Sequence, residues 1–215
     1  MIRLDVVQGT TAWANARLGI PTASAFSKII TPKTTKPSDQ ADKYMWSLIA
    51  EQLLSVPMDD ATSGFMERGT AMEKRAVSFY ELQRDCEVDR VGFVLRNDRR
   101  VGCSPDGFVG ADGLLEIKIA SAPIHVGYML GEAAADKYRC QVQGQLWLCE
   151  RDWIDTESYH PELVTVIVRQ RRDEAFIAKL AAAIDQFLDY LDESKLKLQQ
   201  FGYFADFTVP DLKIA

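Results

Sequence analysis

The sequence predicts a mixed α/β (α+β) domain, and three observations carry that prediction. Short strand-like runs, EVDRVGFVL, VGCSPDGFVG and LLEIKIA, cluster mid-chain between Asn-Asp and Gly-Ala-Asp-Gly turns. Helical spacing precedes and follows this cluster, most clearly in the amphipathic EAFIAKLAAAIDQFLDYLDESKLK. Two more strand-like runs, WIDTESYH and LVTVIVRQ, stand just before that last helix. Strands bracketed by helices in this order fit a central mixed sheet flanked by helices. With 215 residues, 47% of them hydrophobic, and no internal repeat, one domain over 1–215 with one substantial core is expected.

Taken in order, TTAWANARLG has helical spacing, with Thr10 or Thr11 as N-cap. Gly19-Ile20-Pro21 breaks it, and a second short helix is expected from Thr22 through TASAFSKII. TPKTTKPSDQ reads as a polar, mobile loop. Ser38 then reads as the cap of a helix through DKYMWSLIAEQLL, and a long helix is expected over 63–84. After the strand cluster, DKYRCQVQGQLWLC is helical, with Tyr138, Val142 and Leu146 on one side.

Composition narrows the function classes. No stretch approaches the roughly 20 apolar residues of a membrane span, and the N-terminus MIRLDVVQGTTAW lacks a signal-peptide pattern. A cytoplasmic protein is the expectation. Cys86, Cys103, Cys140 and Cys149 contain no CxxC pair, and only two histidines are present. Zinc and iron–sulfur centres are therefore not expected, and the cysteines read as buried reduced thiols. Net charge is −6 with a pI near 5.0. Residues 1–36 nevertheless carry Arg3, Arg17, Lys28, Lys33 and Lys36 against Asp5 alone, so a DNA-binding face is permitted.

CSPDGFVGADGLLEIK holds the candidate chemistry. Asp106 lies in a sharp turn at a strand end, and the hairpin that follows returns Glu116 beside it. Glu116 and Lys118 leave the same face of their strand, opposite Leu115, Ile117 and Ile119, which are expected to face the core. Two carboxylates and an ammonium on one open face suit metal-assisted phosphodiester hydrolysis. Mg²⁺ is bound through one or two carboxylates, and lysine can handle an attacking water. A solvated hairpin face accounts for the same residues.

Other segments add to this. RGTAMEKRA puts Glu73 on a helix between Arg68 and Arg75, a possible site carboxylate or an exposed helix acid. CQVQGQLW puts Gln141 and Gln145 on one helix face, with Gln143 pointing elsewhere. ARLGIPTAS places Arg17 before a helix start with Thr22 and Ser24, a plausible anion pocket.

The ordered series QGTTAWANARLGIPTAS, RGTAMEKRA, CSPDG, LLEIK and CQVQGQLWL resembles phage lambda exonuclease and the YqaJ-type viral recombinases. That family lies within the PD-(D/E)XK, restriction-endonuclease-like superfamily. The resemblance runs over residues 8–150 and implies that fold. It also implies a 5′→3′ exonuclease on linear double-stranded DNA that releases mononucleotides and leaves a 3′ single strand for recombination. On the same resemblance Asp106, Glu116 and the Ile117 carbonyl bind Mg²⁺, with Mn²⁺ as a possible substitute, and Lys118 handles the nucleophilic water. Glu73 supports the site, and Arg17, Ser24 and Gln141 hold the terminal 5′-phosphate. A homotrimeric ring and a single-strand annealing partner are implied as well. The loop SAPIHVGYMLGEAAAD carries no arginine, and the family's strand-separating role is not transferred to it. The alternatives are an endonuclease or nickase on the same fold, and a non-catalytic DNA-end-binding scaffold.

Overall fold

The computed structural model describes residues 1–58, 65–131 and 137–203, with only the backbone of 65–71. The elements follow as β1 (Ile2–Leu4), α1 (Thr11–Ala16), a 3₁₀ helix (Ala23–Lys28), α2 (Ala41–Leu54) and α3 (Phe65–Arg84). Then come β2 (Val88–Asp89), β3 (Phe93–Leu95), β4 (Gly102–Cys103), β5 (Gly107–Val109) and β6 (Gly113–Ile119). The chain continues with α4 (Ala122–Met129), α5 (Arg139–Cys149), β7 (Trp153–Tyr159), β8 (Val166–Arg171) and α6 (Glu174–Gln200).

The principal sheet has the order β2-β5-β6-β7-β8. Its β6–β7 pair is parallel and the others are antiparallel, which makes it the mixed sheet that the sequence predicts. A parallel neighbour cannot be reached by a tight turn, so the crossover from β6 to β7 carries α4 and α5. Helices cover both faces. Val142 and Leu146 of α5 cluster with Phe108, Leu114 and Ile154 on one face. Ala76, Val77 and Tyr80 of α3 cluster with Val109, Leu115 and Ile117 on the other.

α6 explains its own position. Phe176, Leu180, Ile184, Phe187, Leu188 and Leu191 recur at helical spacing and are all buried, and Asp173 caps the helix by accepting from Phe176 N at 3.0 Å. Among the described residues no helix is long and apolar enough to cross a membrane. Cys103, Cys140 and Cys149 are buried thiols and Cys86 is half-buried.

Several expectations are corrected. EVDRVGFVL is one predicted strand, yet β2 joins the principal sheet and β3 a second one. VGCSPDGFVG divides likewise into β4 and β5. The second sheet, β1-β3-β4, exists because the N-terminal strand, which the sequence reading misses, pairs with β3. The helix after Thr22 is 3₁₀, and Thr22 gives it no side-chain cap. Gln40, not Ser38, is the N-cap of α2, while Ser38 Oγ accepts from Gln40 N in the preceding turn. The loop before it is closed by Thr31 N donating to Lys36 O at 2.9 Å and by an Ile30–Pro37 bridge. The side chain of Arg68 lies outside the described residues.

Candidate active site

Asp106 sits where β5 gives out. Pro105 has no N–H and so cannot extend the ladder. One residue later Asp106 N still donates to Leu115 O at 3.0 Å, and beyond it the Asp106 carboxylate itself accepts from Ile117 N. A side chain thus replaces the missing strand partner at the edge of β6. Gln8 fixes this turn from far along the chain, its Nε2 donating to Pro105 O at 2.9 Å and Val91 O at 2.7 Å. Trp13 Nε1 donates to Ser104 Oγ at 2.9 Å, two residues before Asp106.

Glu116 and Lys118 share a face of β6 as expected, but that face is not open. It lies under α5, and Glu116 is buried. Its Oε1 accepts from Lys118 Nζ at 2.7 Å and Gln141 Nε2 at 2.6 Å, and its Oε2 accepts from Gln145 Nε2 at 2.6 Å. Lys118 Nζ also donates to Gln141 Oε1 at 3.1 Å. On the opposite face Leu115 and Ile117 are buried as expected, whereas Ile119, at the strand end, is 38% exposed.

The electrostatics follow from this crowding. Burial pushes the Asp106 carboxyl well above the usual carboxylate range, and the nearby Glu116 and Glu73 carboxylates push it further. Burial works against the Lys118 ammonium, but Glu116 and Asp106 outweigh it and raise its pKa. Lys118 therefore stays protonated here.

Glu73 stands on α3, close enough for its charge to act on Asp106, and forms an ion pair with Arg90. Both line a cavity of about 1020 Å³ together with Gln8, Trp13 and Lys74. Arg17 lies elsewhere, its guanidinium 4.0 Å over the Trp13 ring and 3.5 Å from Thr22 Oγ1. Ser24 Oγ is 3.2 Å from Thr22 Oγ1. Arg17 and Thr22 line a smaller cavity of about 360 Å³ with Trp13, Tyr44 and Glu51. Gln141 makes its hydrogen bonds with Glu116 and Lys118, so it belongs to the carboxylate cluster and not to the lining of the Arg17 pocket. The two regions are joined by packing, because the 3₁₀ helix carrying Ser24 lies tight on α5 at Gly144. A Cβ there would stand 2.6 Å from the Phe26 ring.

Asp106 and Glu116 supply hard oxygen donors that suit Mg²⁺ or Mn²⁺. Among the described residues no three His, Cys, Asp or Glu side chains converge into a cation cage. A cation held by one or two carboxylates plus water and substrate oxygens needs no such cage. The mutual push of Glu116 and Glu73 on Asp106 is the field that a divalent cation relieves. The residues present therefore fit such an ion.

Sequence reasoning passed over Gln8 and Arg90, whose contacts depend on long-range packing. Gln145 was within reach, because its spacing from Gln141 already placed both on one helix face.

A model of the YqaJ-like viral recombinase domain matches residues 12–152. An alkaline exonuclease (LHK-Exo) from Laribacter hongkongensis is 30% identical and superposes with a TM-score of 0.78 over 90% of this chain and 98% of its own. Its complex with dAMP gives the same identity and TM-score over 91% and 100%. A phage-related exonuclease from Haemophilus somnus 129PT, 16% identical, shares the fold with a TM-score of 0.66 over 83% of this chain and 96% of that one. No protein of curated function matches the sequence.

Proposed function

The chain belongs to the YqaJ-like viral recombinase domain family, and from that premise we propose that it is a divalent-cation-dependent 5′→3′ exonuclease on linear double-stranded DNA. It releases mononucleotides and leaves a 3′ single-stranded tail for phage-type recombination. The observation that carries the reading is the buried cluster at the edge of β6, where Asp106, Glu116 and Lys118 meet under Gln141 and Gln145. The alkaline exonuclease relative crystallised with dAMP supports a DNA substrate cut to mononucleotides.

Asp106, Glu116 and the Ile117 carbonyl hold Mg²⁺ or Mn²⁺. Ile117 N–H already points to the Asp106 edge of β6, and in an extended strand the carbonyl of the same residue leaves on that edge. When bound, the ion polarises the phosphoryl group and lowers the pKa of water. The chain's own residues do the rest. Lys118, fixed between Glu116 and Gln141, orients the attacking water and balances negative charge growing on the phosphate. Glu73 supports the site from α3. Arg17 and Ser24, with Gln141 reaching from α5, hold the 5′-terminal phosphate, whose second negative charge favours a cleft containing a guanidinium. A homotrimer and a single-strand annealing partner complete this reading.

Lys118→Ala is expected to abolish hydrolysis while leaving duplex-end binding intact, by gel digestion of 5′-phosphorylated linear duplex alongside an end-binding assay. Full activity in that variant sinks the mechanism. Cutting of relaxed circular plasmid as fast as linear duplex would instead select the endonuclease or nickase reading. End binding without any hydrolysis in the wild-type protein would select the scaffold.

A further inference from the structure

Lys118 has three N–H donors and no acceptor. Glu116 Oε1 at 2.7 Å and Gln141 Oε1 at 3.1 Å take two of its directions. A third side of the ammonium faces the Tyr138 ring, whose centroid is 4.4 Å from Nζ. That lies within the range where a ring's negative face attracts a cation, and the Lys118 side chain is only 20% exposed, so water screens the attraction little. Tyr138 immediately precedes α5 and stands one turn before Gln141, so one end of one helix supplies two of the three contacts. Tyr128 of α4 reaches the Tyr138 hydroxyl, and Lys137 Nζ lies 5.3 Å from the centroid of the same ring.

We propose that Tyr138 is a positioning residue that aims Lys118 at the reacting phosphate through the face of its ring. The proposal rests on the reading of Lys118 given above. Of the three contacts, Glu116 is also a candidate cation ligand and Gln141 a candidate phosphate ligand, so each has a competing task. The ring has none. It holds the amine in place through turnover and keeps bulk water from it. Because the face acts, and not the hydroxyl, phenylalanine serves as well as tyrosine.

The test replaces Tyr138 with Phe, with phenylalanines bearing one, two and three ring fluorines, and with Leu. Fluorination withdraws charge from the ring face with little change of shape, so these variants keep the fold. Tyr138→Phe is expected to keep wild-type kcat. The fluorinated series loses kcat stepwise, by about tenfold in total, with KM unchanged. Tyr138→Leu loses at least as much. In protein without divalent cation, the ring current moves the Lys118 ε-methylene resonance upfield in the Tyr and Phe forms, and Tyr138→Leu abolishes that displacement. A flat fluorine series, or a Lys118 resonance indifferent to loss of the ring, overturns the proposal while the Lys118→Ala result leaves the exonuclease reading standing. Activity surviving in Lys118→Ala brings down the underlying reading instead.

Discussion

Glu116 and Glu157 are buried glutamates on neighbouring strands of one sheet, and they face opposite ways. Glu116, on β6, looks toward α5 and accepts from an ammonium and two carboxamides. Glu157, on β7 beside Ile117, looks toward α3 and is fully buried, and among the described residues neither of its oxygens has a hydrogen-bond partner. Burial alone pushes the Glu157 carboxyl up to about 8. Two residues away on the same face, Asp155 is equally buried but accepts from Tyr80 and from both arms of the Arg169 fork. Burial of a carboxylate therefore does not mark a site. Glu116 differs from Glu157 in having donors aimed at both its oxygens, and from Asp155 in having a second carboxylate, Asp106, close enough for the two charges to interact.

The largest test of that contrast is a pair of isosteric changes. Glu116→Gln is expected to reduce hydrolysis by more than about a hundredfold, since partners one shell further from a metal already cost about 10- to 100-fold. Glu157→Gln should leave kcat within about twofold of wild type, because catalytic losses follow groups that contact the reacting centre. Single-turnover digestion of linear duplex measures both. Comparable losses in the two variants would erase the distinction between the faces.

Stability against pH reads the same contrast from the other side. The Glu157 carboxyl titrates near 8 in the folded protein against an ordinary 4.5. Below pH 4.5 both folded and unfolded chains hold the proton, and the group is neutral to stability. Between these values the unfolded chain releases the proton while the folded one keeps it. Folding is therefore progressively penalised as pH rises toward 8, by up to about 1.4 kcal/mol per pH unit. Glu157→Leu removes that slope. Its melting temperature should exceed the wild type's by more at pH 7.5 than at pH 5, as thermal unfolding at the two values would show. A constant difference would mean that Glu157 is ionised in the fold.

Much of the site was legible because period-2 geometry is local. LLEIKIA by itself placed Glu116 with Lys118 and Leu115 with Ile117, and both pairings hold. Which face is closed was not legible, because that depends on α5 packing across Gly144 against Phe26, a contact between distant segments. The division of two predicted strands between two sheets was hidden for the same reason. β3 and β4 are drawn away by the N-terminal strand, and Gln8 pins the Asp106 turn across 97 residues. Alternation within a strand is written in its own residues, whereas its neighbours are chosen by the rest of the chain.

The smallest expected effect separates two glutamines on one helix. Gln145 Nε2 donates to Glu116 Oε2, while Gln143 Nε2 donates to Arg171 O at 2.9 Å and its Oε1 accepts from Asp173 N at 2.8 Å. The first bond orients the carboxylate proposed as a cation ligand, and the other two fasten the turn that leads from β8 into α6. Gln145→Leu should therefore lower kcat by about tenfold and weaken divalent-cation binding with little change in melting temperature. Gln143→Leu should do the reverse, losing about 1 kcal/mol of stability by removing the partner of two partly buried backbone groups, with kcat retained. Calorimetry of cation binding together with thermal unfolding distinguishes them. Both glutamines are buried and both are hydrogen-bonded, so neither burial nor bonding predicts which loss falls on activity. The partner does: on the proposed mechanism a bond to Glu116 acts on the cation site, whereas a bond to the backbone of Arg171 acts on the fold.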